Sequence, residues 1–437
     1  MPEEKNVLNE LLKLELVQRR EEGCDVSGLE EKISGAGDDK ERERIYKKLM
    51  CLRIKKDFPY KEPSDFKRIL HKRPSRCKDT LKVKLSREEL FDRIYGAWLG
   101  RCAGCALGKP VEGWSEEQIR VFLENANVYP LDYYFPEKST DKEGKEIKVL
   151  SSGSTRENIR FMEVDDDINY TVAGLVMSAI GREKGRELST EAVGQFWLSS
   201  LPFSHTFTAE RAAYANMVNQ IPIEEVPVYH NPFREWIGAQ IRADFWGYIY
   251  PGRPRLAAEL AFRDASLSHT KNGIYGEMFV AAMISAAFTT NNVEDVIRLG
   301  AGQIPKTSRL SEAIEDVLKW SKENNLWKGT FDRIMQKYGH YHPIHTINNA
   351  CMVLLGLLYG NGDFEKTISI AVMAGLDTDC NGATAGSVFG AMTGAAALPK
   401  KWIEPLNDTL SSTIISSRES FFRARISELA KRTLELI

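Results

Sequence analysis

Gly96, Gly100, Gly104 and Gly108 recur every four residues within the stretch Gly96-Ala97-Trp98-Leu99-Gly100-Arg101-Cys102-Ala103-Gly104-Cys105-Ala106-Leu107-Gly108. On a helix that spacing makes one glycine face, because residues four apart stack above one another. A face without side chains allows another backbone to approach closely. The helix is expected to begin at Ser86, where Ser86 and Glu89 spell a capping box and Leu85 and Leu90 a hydrophobic staple. Leu90, Ile94 and Trp98 continue its buried face, and Gly108 and Pro110 end it. Glu112 comes just past that end; alone it reads as a surface loop residue.

A second run of small residues, Ala383 to Leu398, follows the motif Gly375-Leu376-Asp377-Thr378-Asp379-Cys380-Asn381-Gly382. Asp377-x-Asp379-x-Asn381-Gly382 imitates the opening of a calcium-binding EF-hand loop. Such a loop needs a bidentate Glu at its twelfth position, and Val388 stands there, so that reading fails. A helix N-terminus capped by its own acids is the ordinary alternative. The third reading is a pair of oxygen ligands for a hard divalent cation such as Mg²⁺ or Mn²⁺. A second acidic cluster, Asp165-Asp166-Asp167, favours the third. Three consecutive acids cannot share one helical face, but at a helix start their side chains can converge on a cation. Their mutual repulsion raises their pKa values unless a cation or donors compensate. The segment continues into an apolar helix, Val172 to Ile180, which ties the cluster to the core rather than to a solvated turn.

The chain has 437 residues, a formal net charge of -2 and 43% hydrophobic residues, which suits a globular protein with a large core. Charge therefore indicates neither nucleic acid nor an anionic membrane. No apolar run reaches the roughly 18 residues that span a bilayer. Met1-Pro2-Glu3-Glu4-Lys5 does not read as a signal peptide. Seven scattered cysteines fit a reducing, cytoplasmic setting, and Cys102-x-x-Cys105 lacks a matching pair for zinc.

Residues 1–85 are highly charged and expected to form a helical N-terminal extension that packs on the main body or on a partner, with its charges read as a solvated face without chemistry. Val7, Leu8, Leu11, Leu12 and Leu16 make one stripe, and Ile45, Leu49, Leu52 and Ile54 another that begins at Asp38-Asp39. Residues 126–160 read as an aromatic loop, a wall or lid in one reading and an ordinary insertion in the other. The polar turn Ser268-His269-Thr270-Lys271-Asn272-Gly273 offers His269, Asn272 and Gly273 as candidates for substrate contact, with a structural role for His269 equally open. His340, His342 and His345 lack partners at zinc spacing. Helices are expected over Tyr275 to Phe288, Ile347 to Leu358 and Phe364 to Gly375, and two more from Trp402 to Ile437. No run alternates as strands do, so the fold class is all-α, with residues 86–437 as one large domain.

Three motifs in this order resemble the ADP-ribosylglycohydrolase family, whose members include enzymes that remove ADP-ribose from dinitrogenase reductase and from other proteins. They are the glycine-rich helix from Gly96 to Glu112, Asp165-Asp166-Asp167 at a helix start, and Gly375 to Cys380 ahead of a Gly/Ala-rich helix. Each is weak alone. The resemblance covers roughly residue 88 to the end and implies an all-α orthogonal helical bundle with two divalent cations, Mg²⁺ or Mn²⁺. It implies Asp165, Asp166, Asp167, Asp377 and Asp379 as ligands, with Asp166, Asp377 and Glu112 in catalytic positions and Glu112 also at the substrate edge. The implied activity is hydrolysis at ribose C1 of a small-molecule or protein-linked ADP-ribosyl substrate. Three positions depart from the family pattern: Asp165 stands where a Thr is usual, Cys380 replaces the final Thr, and Cys105 stands where many relatives carry Asp. A non-catalytic family member that binds ADP-ribose or serves structurally, and a nucleoside or other ribosyl hydrolase, are the alternatives. An isoprenoid synthase would need an acid four residues after the first Asp of its motif, and Asn169, Tyr170 and Thr171 stand there instead.

Overall fold

The computed structural model describes residues 4–75, 77–416 and 419–437, with side chains from residue 8 onward. The side chain of Val7 thus lies outside the described residues. The two small-residue segments fold against each other. Helix Arg87–Gly108 runs antiparallel to helix Thr378–Thr393, with Gly96 facing Gly390, Gly100 facing Gly386, and Gly104 facing Gly382. A Cβ placed on Gly104 would lie 1.9 Å from the carbonyl oxygen of Gly382, and one on Gly100 would lie 2.1 Å from that of Gly386. Neither helix has room for a methyl group along this seam, so backbone packs directly on backbone. The capping box at Ser86 and Glu89 is formed, and the helix ends at Gly108 as its sequence predicts.

Other helices sheathe this pair. Thr346–Gly360 and Phe364–Met373 pack on one side, and Ile426–Leu436 covers Arg87–Gly108, where the Trp98 indole N–H donates to Thr433 Oγ1 at 3.1 Å. Lys271–Ala287 runs through the interior, buried from Asn272 onward. Among the described residues there are twenty α-helices. The strands are two short antiparallel ribbons, Lys138–Thr140 with Glu146–Lys148 and Thr409–Leu410 with Ala424–Arg425, so the protein is all-α. No described helix is long and apolar enough to cross a membrane. The expectation of two helices after Trp402 needs correction. A single turn, Lys400–Ile403, stops ahead of Pro405; Asn407 and Asp408 then take left-handed backbone (φ 49° each), and one full helix, Ile426–Leu436, follows. Asp408 accepts from the backbone N–H of Ser427 at 2.8 Å and so caps that last helix.

The N-terminal helices Glu4–Glu21, Leu29–Gly35 and Asp39–Met50 share a small core of Leu12, Leu16, Leu29, Ile33, Ile45 and Leu49. Leu52 and Ile54 lie beyond the third helix rather than on its stripe. The extension packs on the main body, one of the two placements expected for it, but through a buried polar contact rather than with its charges solvated. Glu15 grips the Arg234 guanidinium with both oxygens, at 2.7 and 2.8 Å, and Glu22 accepts from Arg234 Nε at 3.1 Å. Gln18 donates to Glu235 at 2.7 Å, and Glu62 holds Arg309, which also pairs with Glu235. These helices carry charge because charge is what docks them.

Candidate active site

Two helix starts and one reversed turn place the acids. Asp165 is the N-cap of helix Asp166–Lys184, where its Oδ1 accepts from the Asp167 N–H at 3.1 Å. Asp377 is the N-cap of Thr378–Thr393, yet its side chain makes no capping hydrogen bond. The turn before it holds two consecutive left-handed residues, Gly375 (φ 77°) and Leu376 (φ 69°). A β-carbon on Gly375 would meet the Trp114 carbonyl at 2.6 Å, and positive φ in a Leu is a strain that surrounding structure must hold. Here the holding contacts are backbone ones: Gly113 N donates to Leu376 O at 2.8 Å and Leu376 N to Trp114 O at 3.0 Å. This short pairing carries Glu112 to the side of Asp377. Asn349 fixes the other side. Its Oδ1 accepts from Asp377 N (3.1 Å) and Asn381 Nδ2 (2.9 Å), while its Nδ2 donates to the carbonyls of Pro343 (2.7 Å) and His345 (2.9 Å).

The acids separated by some two hundred positions meet. Ligand atoms of Asp167, Asp379 and Cys380 lie within 4.8 Å of one another, and the same holds for Cys105, Asp165 and Asp379, for Glu112, Asp377 and Asp379, and for Asp165, Asp166 and Asp167. Asp379 belongs to three of the four groups. Asp377 Oδ1 and Asp379 Oδ1 are buried with no hydrogen-bond partner. Leaving a buried carboxylate oxygen unpaired is costly, and a cation is what such an arrangement accommodates.

Two fixed cations already stand in this acidic nest, and neither was singled out from the sequence. Arg101, fully buried on the glycine helix, donates to Asp167 Oδ1 (3.0 Å), Asp244 Oδ2 (2.8 Å), Thr171 Oγ1 (2.7 Å) and the Asp167 and Ile241 carbonyls (2.7 Å each). Lys109 donates to Asp165 Oδ2 at 2.5 Å and to the Val164 carbonyl at 2.9 Å. The signal for Arg101 was available: one charged residue inside a Gly/Ala/Cys helix must find buried anions. The Cys380 thiol donates to Asp167 Oδ2 at 3.0 Å. Both oxygens of Asp165 and both of Asp167 thus have protein partners, whereas Asp377 and Asp379 each keep an unpartnered oxygen.

Crowding sets the protonation of the cluster. Glu112, the exposed member, is pushed up to about 8, first by the charge of Asp379, then by burial of its carboxyl and by Asp165. Burial, then Asp165, lifts Asp379 to about 6. Asp166 and Asp377 are raised well above the usual carboxylate range by burial and by neighbouring acids, Asp165 foremost for the one and Asp379 for the other. Burial also raises Asp167, against the opposing pull of Arg101.

The three residues of the polar turn are buried, and their hydrogen bonds go to groups other than the aspartates. His269 is buried, with Nδ1 against Ser268 Oγ at 2.8 Å, and burial followed by the charge of Arg242 holds it well below the ordinary histidine range. Asn272 spends its hydrogen bonds on Glu62, Glu235 and the Leu310 N–H. A Cβ on Gly273 would lie 2.5 Å from the Arg234 carbonyl, so this glycine serves a close backbone approach. None of these contacts reaches the aspartates. His342 stacks on Trp236 with ring centroids 4.0 Å apart, and His345 caps helix Thr346–Gly360. A groove of about 810 Å³, lined by Met177, Arg186, Phe196, Trp246, Leu256 and Leu436, opens towards the far end of the Asp166–Lys184 helix. Met177 is about 16 Å along that helix from Asp166, so the groove is separate from the acids.

An uncharacterized protein of Archaeoglobus fulgidus is 24% identical over 314 residues, covering 71% of this chain and 90% of that protein. A solved chain described as an ADP-ribosylglycohydrolase-related protein complex aligns with a TM-score of 0.48 and 18% identity, over 80% of this chain and 98% of its own. The family profile described as ADP-ribosylglycohydrolase matches residues 86–437, which contain every acid of the cluster. The chain belongs to the ADP-ribosylglycohydrolase family.

Proposed function

We propose that the chain is a metal-dependent hydrolase that cleaves the bond at ribose C1 of an ADP-ribosylated substrate, small-molecule or protein-linked. The observation that carries this reading is the meeting of Asp165 and Asp167 with Asp379, beside which Asp377 lies, with one oxygen each of Asp377 and Asp379 buried and unpartnered. The donor set fits divalent cations, because carboxylate oxygens from two helix starts surround one small volume. Asp165, Asp166, Asp167, Asp377 and Asp379 would hold two of them, Mg²⁺ or Mn²⁺, with Glu112 at the rim. Bound there, the ions would supply electrophilic grip on the ribose 2′- and 3′-hydroxyls and a more acidic water.

The chain's own residues account for the rest. Breaking the bond at C1 develops positive charge on the ribose, which a carboxylate oxygen left free of the cations would favour electrostatically. Glu112 carries a proton at neutral pH while the charges of Asp379 and Asp165 outweigh the opposing charge of Lys109. Neutralising those neighbours lowers its pKa and frees it to accept a proton from the attacking water as general base. Asn349 holds Asp377 and Asn381 in register, so the ligand geometry does not depend on flexible loops.

The test is release of free ADP-ribose from mono-ADP-ribosylated protein and from small ADP-ribosyl conjugates, with Mn²⁺ and with EDTA. The proposal expects turnover that needs the cation and is lost in Asp377→Asn and Asp379→Asn. Undiminished turnover in EDTA would refute it.

A further inference from the structure

We propose that, among the divalent ions these acids can hold, the centre prefers a thiophilic one, of the Zn²⁺, Co²⁺ or Fe²⁺ type, over Mg²⁺ or Mn²⁺, with Cys105 and Cys380 as sulfur ligands. The inference rests on the metal-dependent reading above and concerns the two cysteines that lie among the acids. The potential ligand atoms divide into two half-sites of the same composition. One holds Cys105 with Asp165, the other Cys380 with Asp167, and Asp379 belongs to both. Each half-site offers one sulfur, one oxygen of its own and one oxygen of the shared carboxylate.

The spacing is close to that of direct ligation. Metal–sulfur bonds of about 2.3 Å and metal–oxygen bonds of about 2.0–2.2 Å place two ligands of one ion within roughly 4.5 Å of each other. Within each half-site the potential ligand atoms lie within 4.8 Å of one another, so small side-chain movements would bring all three onto one ion. The Lys109 and Cys380 contacts leave capacity on Asp165 and Asp167, because each carboxylate has about four lone-pair positions. Independently of the thiols, Asp377 Oδ1 and Asp379 Oδ1 are buried and unpartnered at the same place.

The bland account of a buried cysteine is a small apolar core residue. Cys102 fits that account: it sits one turn before Cys105 on the same helix, fully buried, and joins none of the acid groups. Cys105 and Cys380 instead face carboxylates, where an apolar side chain would gain nothing and a thiolate without a cation would be repelled. Mg²⁺ and Ca²⁺ prefer oxygen and leave such sulfurs unused, whereas thiolate ligands select borderline and soft ions.

Titration of the full-length, metal-free protein with Co²⁺, followed by absorption, tests this. Each cobalt–sulfur bond replaces an S–H bond, and one proton leaves to the buffer. The expected result is a sulfur-to-cobalt charge-transfer band in the near ultraviolet that is weakened in Cys105→Ser and in Cys380→Ser and abolished in the double variant. Excess Mg²⁺ should not displace the cobalt. Cobalt bound with ligand-field bands alone would overturn the sulfur ligation and leave the hydrolase reading standing. A band that survives the double variant but vanishes in Cys51→Ser, a change at an exposed thiol, would overturn it equally. No uptake of Co²⁺, Mn²⁺ or Mg²⁺ by calorimetry would remove both readings.

Discussion

Lys109 holds its ammonium 2.5 Å from Asp165 Oδ2, while the other oxygen of Asp165 caps the helix it begins. Asp165 thus carries its own counter-charge. Removing the lysine should expose that acid. Lys109→Met is expected to destabilise the metal-free protein by about 2–3 kcal/mol, less than the 3–5 of a fully buried pair because Lys109 is partly exposed. It should also tighten Mn²⁺ binding, and Lys109→Met/Asp165→Thr should restore the stability. Urea unfolding in EDTA and Mn²⁺ titration read the two effects; weaker Mn²⁺ binding in Lys109→Met would contradict this account.

Gly104 and Gly382 touch backbone to backbone, and a methyl group on Gly104 would sit 1.9 Å from the Gly382 carbonyl oxygen. Gly104→Ala must push the helices apart, at a cost at or beyond the upper end of the about 1–3 kcal/mol typical of overpacked cores. The same movement separates Cys105 from Asp379 and so weakens cation binding. Gly35→Ala, with nothing within 4 Å of the new carbon, should change stability by less than about 0.5 kcal/mol. Thermal melts of the two variants check the contrast.

The N-terminal helices are held by buried charge. Glu15→Ala leaves Arg234 with half its anionic partners in a dry interface, which costs about 3–5 kcal/mol. Limited proteolysis should then cleave the 1–85 region first. A chain lacking residues 1–85 leaves Arg234 and Arg309 each without its N-terminal carboxylates, and it is expected to be poorly soluble.

Stability should bend with pH in both directions. Glu112 and Asp379 hold protons in the folded state up to about 8 and about 6, so between the ordinary carboxylate range and pH 8 the folded protein binds more protons than the unfolded chain. Metal-free stability therefore falls as pH rises through that window. Glu22 behaves oppositely: burial is the largest influence on it, but Arg234, Lys271 and Arg19 together outweigh it and hold it at about 2, so its contribution is complete above the ordinary range and disappears as pH falls towards 2. Melting temperatures in EDTA should peak near about pH 5. Glu21, raised to about 8 by burial and Glu235, adds to the alkaline slope. The share belonging to the acid cluster is the part that divalent cations flatten.

Much of this was legible in the sequence, for physical reasons that differ by element. The glycine stripe at 96, 100, 104 and 108 announced a close backbone contact, because nothing else explains four bare positions on one helical face. The acids announced a site because unpaired buried carboxylates need a cation. Arg101, Lys109 and Asn349 did not stand out, since each acts through partners 28 to 143 residues away in the chain. His269, Asn272 and Gly273 looked functional because polar turns usually face solvent; here the N-terminal extension and its strap at Glu62 bury the turn's neighbourhood. Glu15, Gln18 and Glu22 looked solvated for the same reason, as helical charge patterns do not reveal a buried counter-charge on another element.

The most direct test is anomalous diffraction from crystals soaked with Mn²⁺ and ADP-ribose. The account predicts manganese peaks about 2.0–2.6 Å from oxygens of both Asp379 and the Asp165–Asp167 cluster, the range of divalent-cation bonds to oxygen. ADP-ribose should lie with its terminal ribose against the cations and Glu112. Full Mn²⁺ occupancy elsewhere on the protein, with nothing between these acids, would contradict it.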